Sequence, residues 1–342
     1  MTSEAVRRPR SVIKAAAATG GFAAALLLLG NGYARAAGPT DCVGERYTAV
    51  PVPLMPAAIN SAGQVVGTDA HHRAALWSHT AGLQELPLPR GYSTSDAVAI
   101  NDAGTIAVNA FDRSFERHRA YLYAHGSLRP LEGEQTLAFK VNQAGEVAGE
   151  ALDAGGRTTQ PALWRKTKRV SLGACCAGSA KSLNENGNVV GDTYDAEGQY
   201  HAFLWTASQG MQAIAPAAQF SIAVAINDDD QIVVQTFPEI FLFHHGVSEP
   251  LQLSKLPSQP HAINNCGAIV GAFGPYFDKE RAFIWSKTSG FVDLNTRLES
   301  GSGWLLKSAI DINAGGEIIG HGEHEGEDMQ GVLLAPGLQQ SQ

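Results

Sequence analysis

Helical periodicity is the first thing this sequence lacks. Outside the N-terminus no long stretch spaces its apolar residues at 3.6, which argues against helical architectures. Long hydrophobic runs are scarce as well. The one at residues 15–29 is uncharged and ends in four leucines, but it falls short of the about 20 residues that cross a bilayer. Positive charge is also low, with 25 Lys and Arg against 33 Asp and Glu. A nucleic-acid binder needs a basic footprint, so that class is excluded. The familiar catalytic signatures are missing: no Gly-x-Ser-x-Gly elbow, no Walker loop, no His-Glu-x-x-His and no sialidase-type Asp box. No cofactor is therefore expected.

What is present is a globular composition, 44% apolar and 17% charged, with 37 glycines among 342 residues. Abundant glycine without helical periodicity favours strands joined by many turns. Residues 1–36 read as an export signal. Arg7, Arg8, Arg10 and Lys14 precede the apolar run, and Ala34-Arg35-Ala36 offers small residues where a signal peptidase cuts. An uncleaved anchor is the alternative. Those 36 residues hold five basic residues and Glu4, so the remainder carries 20 basic and 32 acidic residues, a formal charge of −12. The expectation is a secreted or periplasmic protein: a signal peptide at 1–36, then one domain at 37–342 with no membrane span after cleavage.

One phrase recurs. "AINSAGQVVG" begins at Ala58, "AINDAGTIAV" at Ala99 and "AINNCGAIVG" at Ala262. Its asparagine is found at Asn60, Asn101, Asn142, Asn184, Asn227, Asn264 and Asn313, with gaps of 41, 41, 42, 43, 37 and 49 residues. Three residues later stand Gly63, Gly104, Gly145, Gly187, Asp230, Gly267 and Gly316. Asn-x-x-Gly predicts a type I turn. The Asn side chain accepts from backbone two residues on, and the Gly takes a left-handed conformation between two antiparallel strands. Asp230 replaces the glycine with one of the few other tolerated residues.

A third strand follows each turn, as in "RAALW" at Arg73, "HAFLW" at His201 and "RAFIW" at Arg281. Trp77, Trp164, Trp205 and Trp285 share one position in it. A fourth strand comes next, except in the seventh copy. The segment "RYTAVPVPL" before the first copy is an orphan that can supply the missing one. The fold expected is all-β: a seven-bladed β-propeller of four-stranded blades, with the N-terminal strand completing the last blade. Closure hides the edges that an open array would expose. A monomer is expected.

The phrase "AINxxGxxxG", followed by "HAFLW" and a Gly-aliphatic-x-x-Leu segment, resembles the HAF-repeat family of bacterial extracellular proteins. The copies at Asn101 and Asn227 depart from it, with Val108 and Val234 at the second glycine. The resemblance covers the chain after the signal and implies an exported propeller. It carries over no reaction and no catalytic residues.

Function is expected on the rim opposite the Asn turns, where the loops vary freely. Binding candidates there are His72, Arg113, Tyr194, Tyr200, Tyr276 and Trp304, for a glycan, peptide or protein ligand. "HGEHEGED" offers His321 and His324 as weak metal ligands, though so polar a segment reads more simply as a solvated loop. His71-His72 and His244-His245 are taken as strand neighbours that point apart. A glycan-active hydrolase or lyase, the alternative function, would need two carboxylates in a pocket. Asp112, Glu116, Asp153, Asp195, Glu197, Asp278 and Glu280 are available. Cys42 and Cys266 both lie toward the turn rim and are the disulfide candidates. Cys175 and Cys176 are either joined to each other or free.

Overall fold

A computed structural model describes residues 42–173, 176–215, 218–237, 239–275 and 279–337. The segment expected to be an export signal, Cys175, Tyr276 and Asp278 lie outside the described residues. Seven four-stranded antiparallel sheets account for the described chain. Six are contiguous: residues 55–85, 94–130, 137–170, 177–213, 221–250 and 258–293. The seventh joins residues 304–336 to the strand Tyr47–Val52. The fold is thus a seven-bladed β-propeller, and the orphan strand closes it. Its register runs from Tyr47 opposite Pro336 to Val52 opposite Gly331. Tyr47 is fully buried, and its hydroxyl accepts a 2.9 Å hydrogen bond from Gly44 N.

The sheets stand because each buries its faces against its neighbours. One core joins Ala58, Val66, Ala74 and Leu86 of blade 1 to Ala97, Ile100, Ile106 and Val108 of blade 2. Another packs Ala99, Ala107 and Leu131 of blade 2 against Val147, Ala162 and Trp164 of blade 3. Alanine is frequent because the blades approach closely. The shared tryptophan supplies volume in compensation: Trp164 is wholly buried, and its Nε1 donates to Glu132 O at 2.8 Å. Burying one large apolar side chain stabilises by about 2–3 kcal/mol, and the interfaces repeat around the ring.

The recurring turns all close with a bond from residue four to the Asn carbonyl, for instance Gly63 N to Asn60 O at 3.0 Å. The six glycines have φ between 73° and 76°, and Asp230 has 58°. Each Asn Oδ1 is an acceptor within its own turn, as in Gln64 N to Asn60 Oδ1 at 3.0 Å. Each Asn Nδ2 reaches out of the turn. Asn60 donates to Asn101 O (3.2 Å), Asn101 to Asn142 O (2.9 Å) and Asn142 to Asn184 O (3.2 Å). Asn184 donates to Asn227 O (3.0 Å), Asn227 to Asn264 O (3.1 Å) and Asn264 to Asn313 O (3.2 Å). Asn313 then donates to Asn60 O at 3.0 Å. All seven side chains are buried. The phrase is therefore both a hairpin turn and a link to the next blade.

A disulfide joins Cys42 to Cys266, across 224 residues. It ties the segment preceding the closing strand to the blade 6 turn. Among the described residues no helix is long and apolar enough to cross a membrane.

Candidate functional site

The central channel is built by a second repeated feature. Every inner strand carries a bulge three residues before its Asn, at Ala57, Val98, Phe139, Lys181, Val224, His261 and Ile310. A bulged residue breaks the strand's in-out alternation, and all seven line the channel. The remaining space is about 140 Å³. Its charges are paired: Lys140 Nζ lies 3.5 Å from Asp311 Oδ2, and Lys181 Nζ lies 3.6 Å from Asp192 Oδ1. Burial pushes the Asp192 carboxyl above its usual range, against the opposing pull of Lys181.

His261 is the imidazole in this channel. Its Nδ1 lies 2.8 Å from Ala309 O and 3.4 Å from Ser308 Oγ. A carbonyl oxygen only accepts, so Nδ1 carries the proton and cannot take one from Ser308 at that nitrogen. Burial holds the His261 pKa below the usual imidazole value.

On the variable rim the carboxylates have a common structural task. Asp69, Asp112, Asp153 and Asp195 each begin the turn between the second and third strands of blades 1 to 4. Each Oδ1 caps that turn, accepting for instance from Arg73 N (3.0 Å), Arg157 N (2.9 Å) and Gln199 N (2.9 Å). The bond from Arg157 N lowers the Asp153 pKa, and the contact with His201 lowers that of Asp195. A general acid needs the opposite shift. The loops of blades 1 to 4, which vary in sequence, thus share one capping aspartate, a regularity that a reading of these carboxylates as glycosidase pairs misses.

The described binding candidates are spread over blades 1, 2, 4 and 7. His72 sits in the blade 1 turn with φ 57° and is exposed, and Arg113 is exposed in the blade 2 turn. Tyr194 and Tyr200 are brought together, with ring centroids 5.6 Å apart, and Phe220 adds a third ring 5.6 Å from Tyr200. Trp304 stacks on His324 at 4.4 Å and 15°.

Three local expectations are corrected. "HGEHEGED" is not a loop: the strands Ile318–His324 and Glu327–Pro336 continue through it as a hairpin. His321 is half-buried in it, its pKa lowered by burial and then by His261, while His324 is engaged with Trp304. His71 and His72 lie in a turn, not a strand. His244 ends a strand and His245 turns out of it with φ 49°, so their rings meet at 4.0 Å.

The site that sequence reasoning did not single out is a groove between blades 6 and 7 of about 510 Å³. Leu256, Phe273 and Leu305 supply apolar surface, and Lys279, Glu280, Arg281 and Lys307 supply charge. Leu256 and Leu305 are exposed for leucines. Arg281 is steadied by Asp293 at 3.5 Å, and Lys307 by Asp328 at 2.6 Å. Of these residues the sequence singled out Glu280 alone, as an available carboxylate; the others were legible only by their place on the variable rim.

Comparison with known proteins places the architecture in company. Searches of protein-family models and of curated proteins find no match. Solved structures do match. Virginiamycin B lyase from Staphylococcus aureus is 10% identical, with a TM-score of 0.51 over 85% of this chain and 99% of that one. The β-propeller domain of the Trilobed protease from Pyrococcus furiosus is 10% identical, with a TM-score of 0.56 over 84% and 97%. A puromycin-hydrolyzing peptidase from Mycobacterium tuberculosis is 12% identical, with a TM-score of 0.57 over 89% of this chain and 54% of that one. At such identities the likeness is one of fold.

Proposed function

We propose that this chain is an exported binding propeller of the HAF-repeat type, which seats a glycan, peptide or protein ligand on its variable rim. The groove between blades 6 and 7 carries the reading. It combines apolar surface at Leu256, Phe273 and Leu305 with charges held by ion pairs, the mix that ligand seats use. The disulfide fits an oxidising compartment, and the acidic balance fits a solvated exterior.

The alternative is a hydrolase or lyase working in the funnel, and one experiment separates the two. The full chain is screened on a glycan array and a peptide library, and every hit is assayed for turnover. Binding without product is expected, with at least a ten-fold loss in Leu305→Asp and in Arg281→Glu. Turnover of a hit, abolished in Lys140→Met or His261→Gln, would replace this reading with the enzymatic one. Binding untouched by either groove variant would move the ligand elsewhere on the ring.

A further inference from the structure

The four capping aspartates of blades 1 to 4 differ in what their second oxygen does. Asp153 Oδ2 accepts from Thr158 Oγ1 at 3.1 Å, and Asp195 Oδ2 meets His201 Nε2 at 2.9 Å. Asp112 Oδ2 lies 3.9 Å from Arg117 Nε. Asp69 Oδ2 is buried without a hydrogen-bond partner, in a side chain only 3% exposed. Leaving a carboxylate oxygen in that state is costly. Around it stand the two other groups of the one metal-capable cluster among the described residues. His71 Nδ1 is 3.8 Å from Asp69 Oδ2 and 3.1 Å from Glu85 Oε1, and each of the three side chains offers one ligand atom within 4.8 Å of the other two.

We propose that Asp69, His71 and Glu85 form a binding site for a divalent cation of the zinc class on the rim of blade 1. Ligand chemistry suits the assignment. One imidazole and two carboxylates form a mixed nitrogen-oxygen set, and three ligands at about 2.0–2.1 Å from a tetrahedral zinc stand about 3.3 Å apart. The observed separations bracket that value. His71 Nδ1 now shares a proton with Glu85 Oε1, and the cation would take the proton's place while giving Asp69 Oδ2 the positive partner it lacks. The backbone prepares the site. Asp69 Oδ1 accepts from His71 N (2.8 Å) and Arg73 N (3.0 Å), which fixes the carboxylate and leaves Oδ2 for the ion. His71 is 78% exposed and Glu85 48%, so the fourth coordination position faces solvent.

The test is zinc titration of the chelator-stripped full chain against a chromophoric indicator. One Zn²⁺ per chain is expected. His71→Ala and Glu85→Gln should each weaken binding at least ten-fold, and His72→Ala should leave it unchanged. Both lost side chains are substantially exposed, so thermal unfolding without metal should match the parent and separate lost binding from lost folding. Asp69 is left intact because its turn needs it. Absence of stoichiometric binding would overturn the proposal and leave Asp69 a turn cap alone. Binding that survives in His71→Ala and Glu85→Gln would overturn it too, as would binding lost only in His321→Ala or His324→Ala.

Discussion

Asn313 donates its side-chain amide to the carbonyl of Asn60, 3.0 Å away and 253 residues earlier in the chain. That bond completes the circle of seven. It is independent of the closing strand, which works at the outer edge of the same blade. The ring is therefore sealed at its hub by an asparagine and at its perimeter by Tyr47–Val52.

A discriminating substitution follows from this double task. Asn313→Asp keeps an acceptor for Gly315 N and Glu317 N but loses the donor and sets a carboxylate against Asn60 O. Asn313→Ala loses both functions. Each should cost about 2–3 kcal/mol, the range for unmaking buried hydrogen bonds, read from urea unfolding. If Asn313→Asp were as stable as the parent, the turn alone would account for the asparagine.

Cysteine should contribute separately. Joining Cys42 to Cys266 closes a loop of 224 residues, for which chain entropy allows up to about 5 kcal/mol. Reductant should lower the unfolding midpoint of the parent. In Cys266→Ala the midpoint should already be low and indifferent to reductant. A midpoint in Cys266→Ala equal to the parent's would show that the N-terminal segment is held by its other contacts, such as Arg297 to Glu45 O and Gly337 N to Arg46 O.

The repeat's two glycines should respond differently to alanine. At Gly67 an added Cβ would sit 1.9 Å from Met55 O, so the strand pair must part. Gly67→Ala should cost about 3 kcal/mol or more. At Gly104 nothing lies within 4 Å of the new Cβ, but φ is 75°, so Gly104→Ala should cost only about 1–2 kcal/mol. Equal losses in chemical denaturation would show that the strand pair yields cheaply to the new methyl at Gly67 and that crowding does not govern that position.

These positions show why part of the fold was legible and part was not. The turn was readable because Asn-x-x-Gly is a local device whose geometry is complete within four residues. The blade count was readable because the device recurs. The inter-blade bond was hidden, although a clue was present: Ser or Asp would serve a turn that only needs an acceptor, yet all seven copies have Asn. Blade 5 confirms the economy, since Asp230 Oδ1 receives Asn184 Nδ2 at 2.7 Å and Asn188 Nδ2 at 2.8 Å from the preceding blade. The groove was out of reach because Leu256, Arg281 and Leu305 meet only once two blades are docked. The cluster at Asp69 was half visible, with Asp69 and His71 close in sequence and Glu85 delivered by the fourth strand.

Acid should loosen the hub before it reaches the surface carboxylates. Burial holds His261 and His321 below the ordinary imidazole pKa, His321 also through its neighbour His261. At neutral pH both states carry these residues uncharged, so they contribute no pH dependence there. As pH falls through the ordinary value of about 6.5, the unfolded chain takes up protons that the fold refuses, and stability drops. Asp192 acts in the other direction. Burial raises its pKa, so the folded state takes up that proton more readily than the unfolded chain does and stability gains from it as acid is added. The melting temperature should therefore decline between about pH 7 and pH 5. A His261→Gln/His321→Gln double variant should flatten that decline, because neither replacement titrates. Should the parent itself prove flat across this range, water must reach both imidazoles despite their burial.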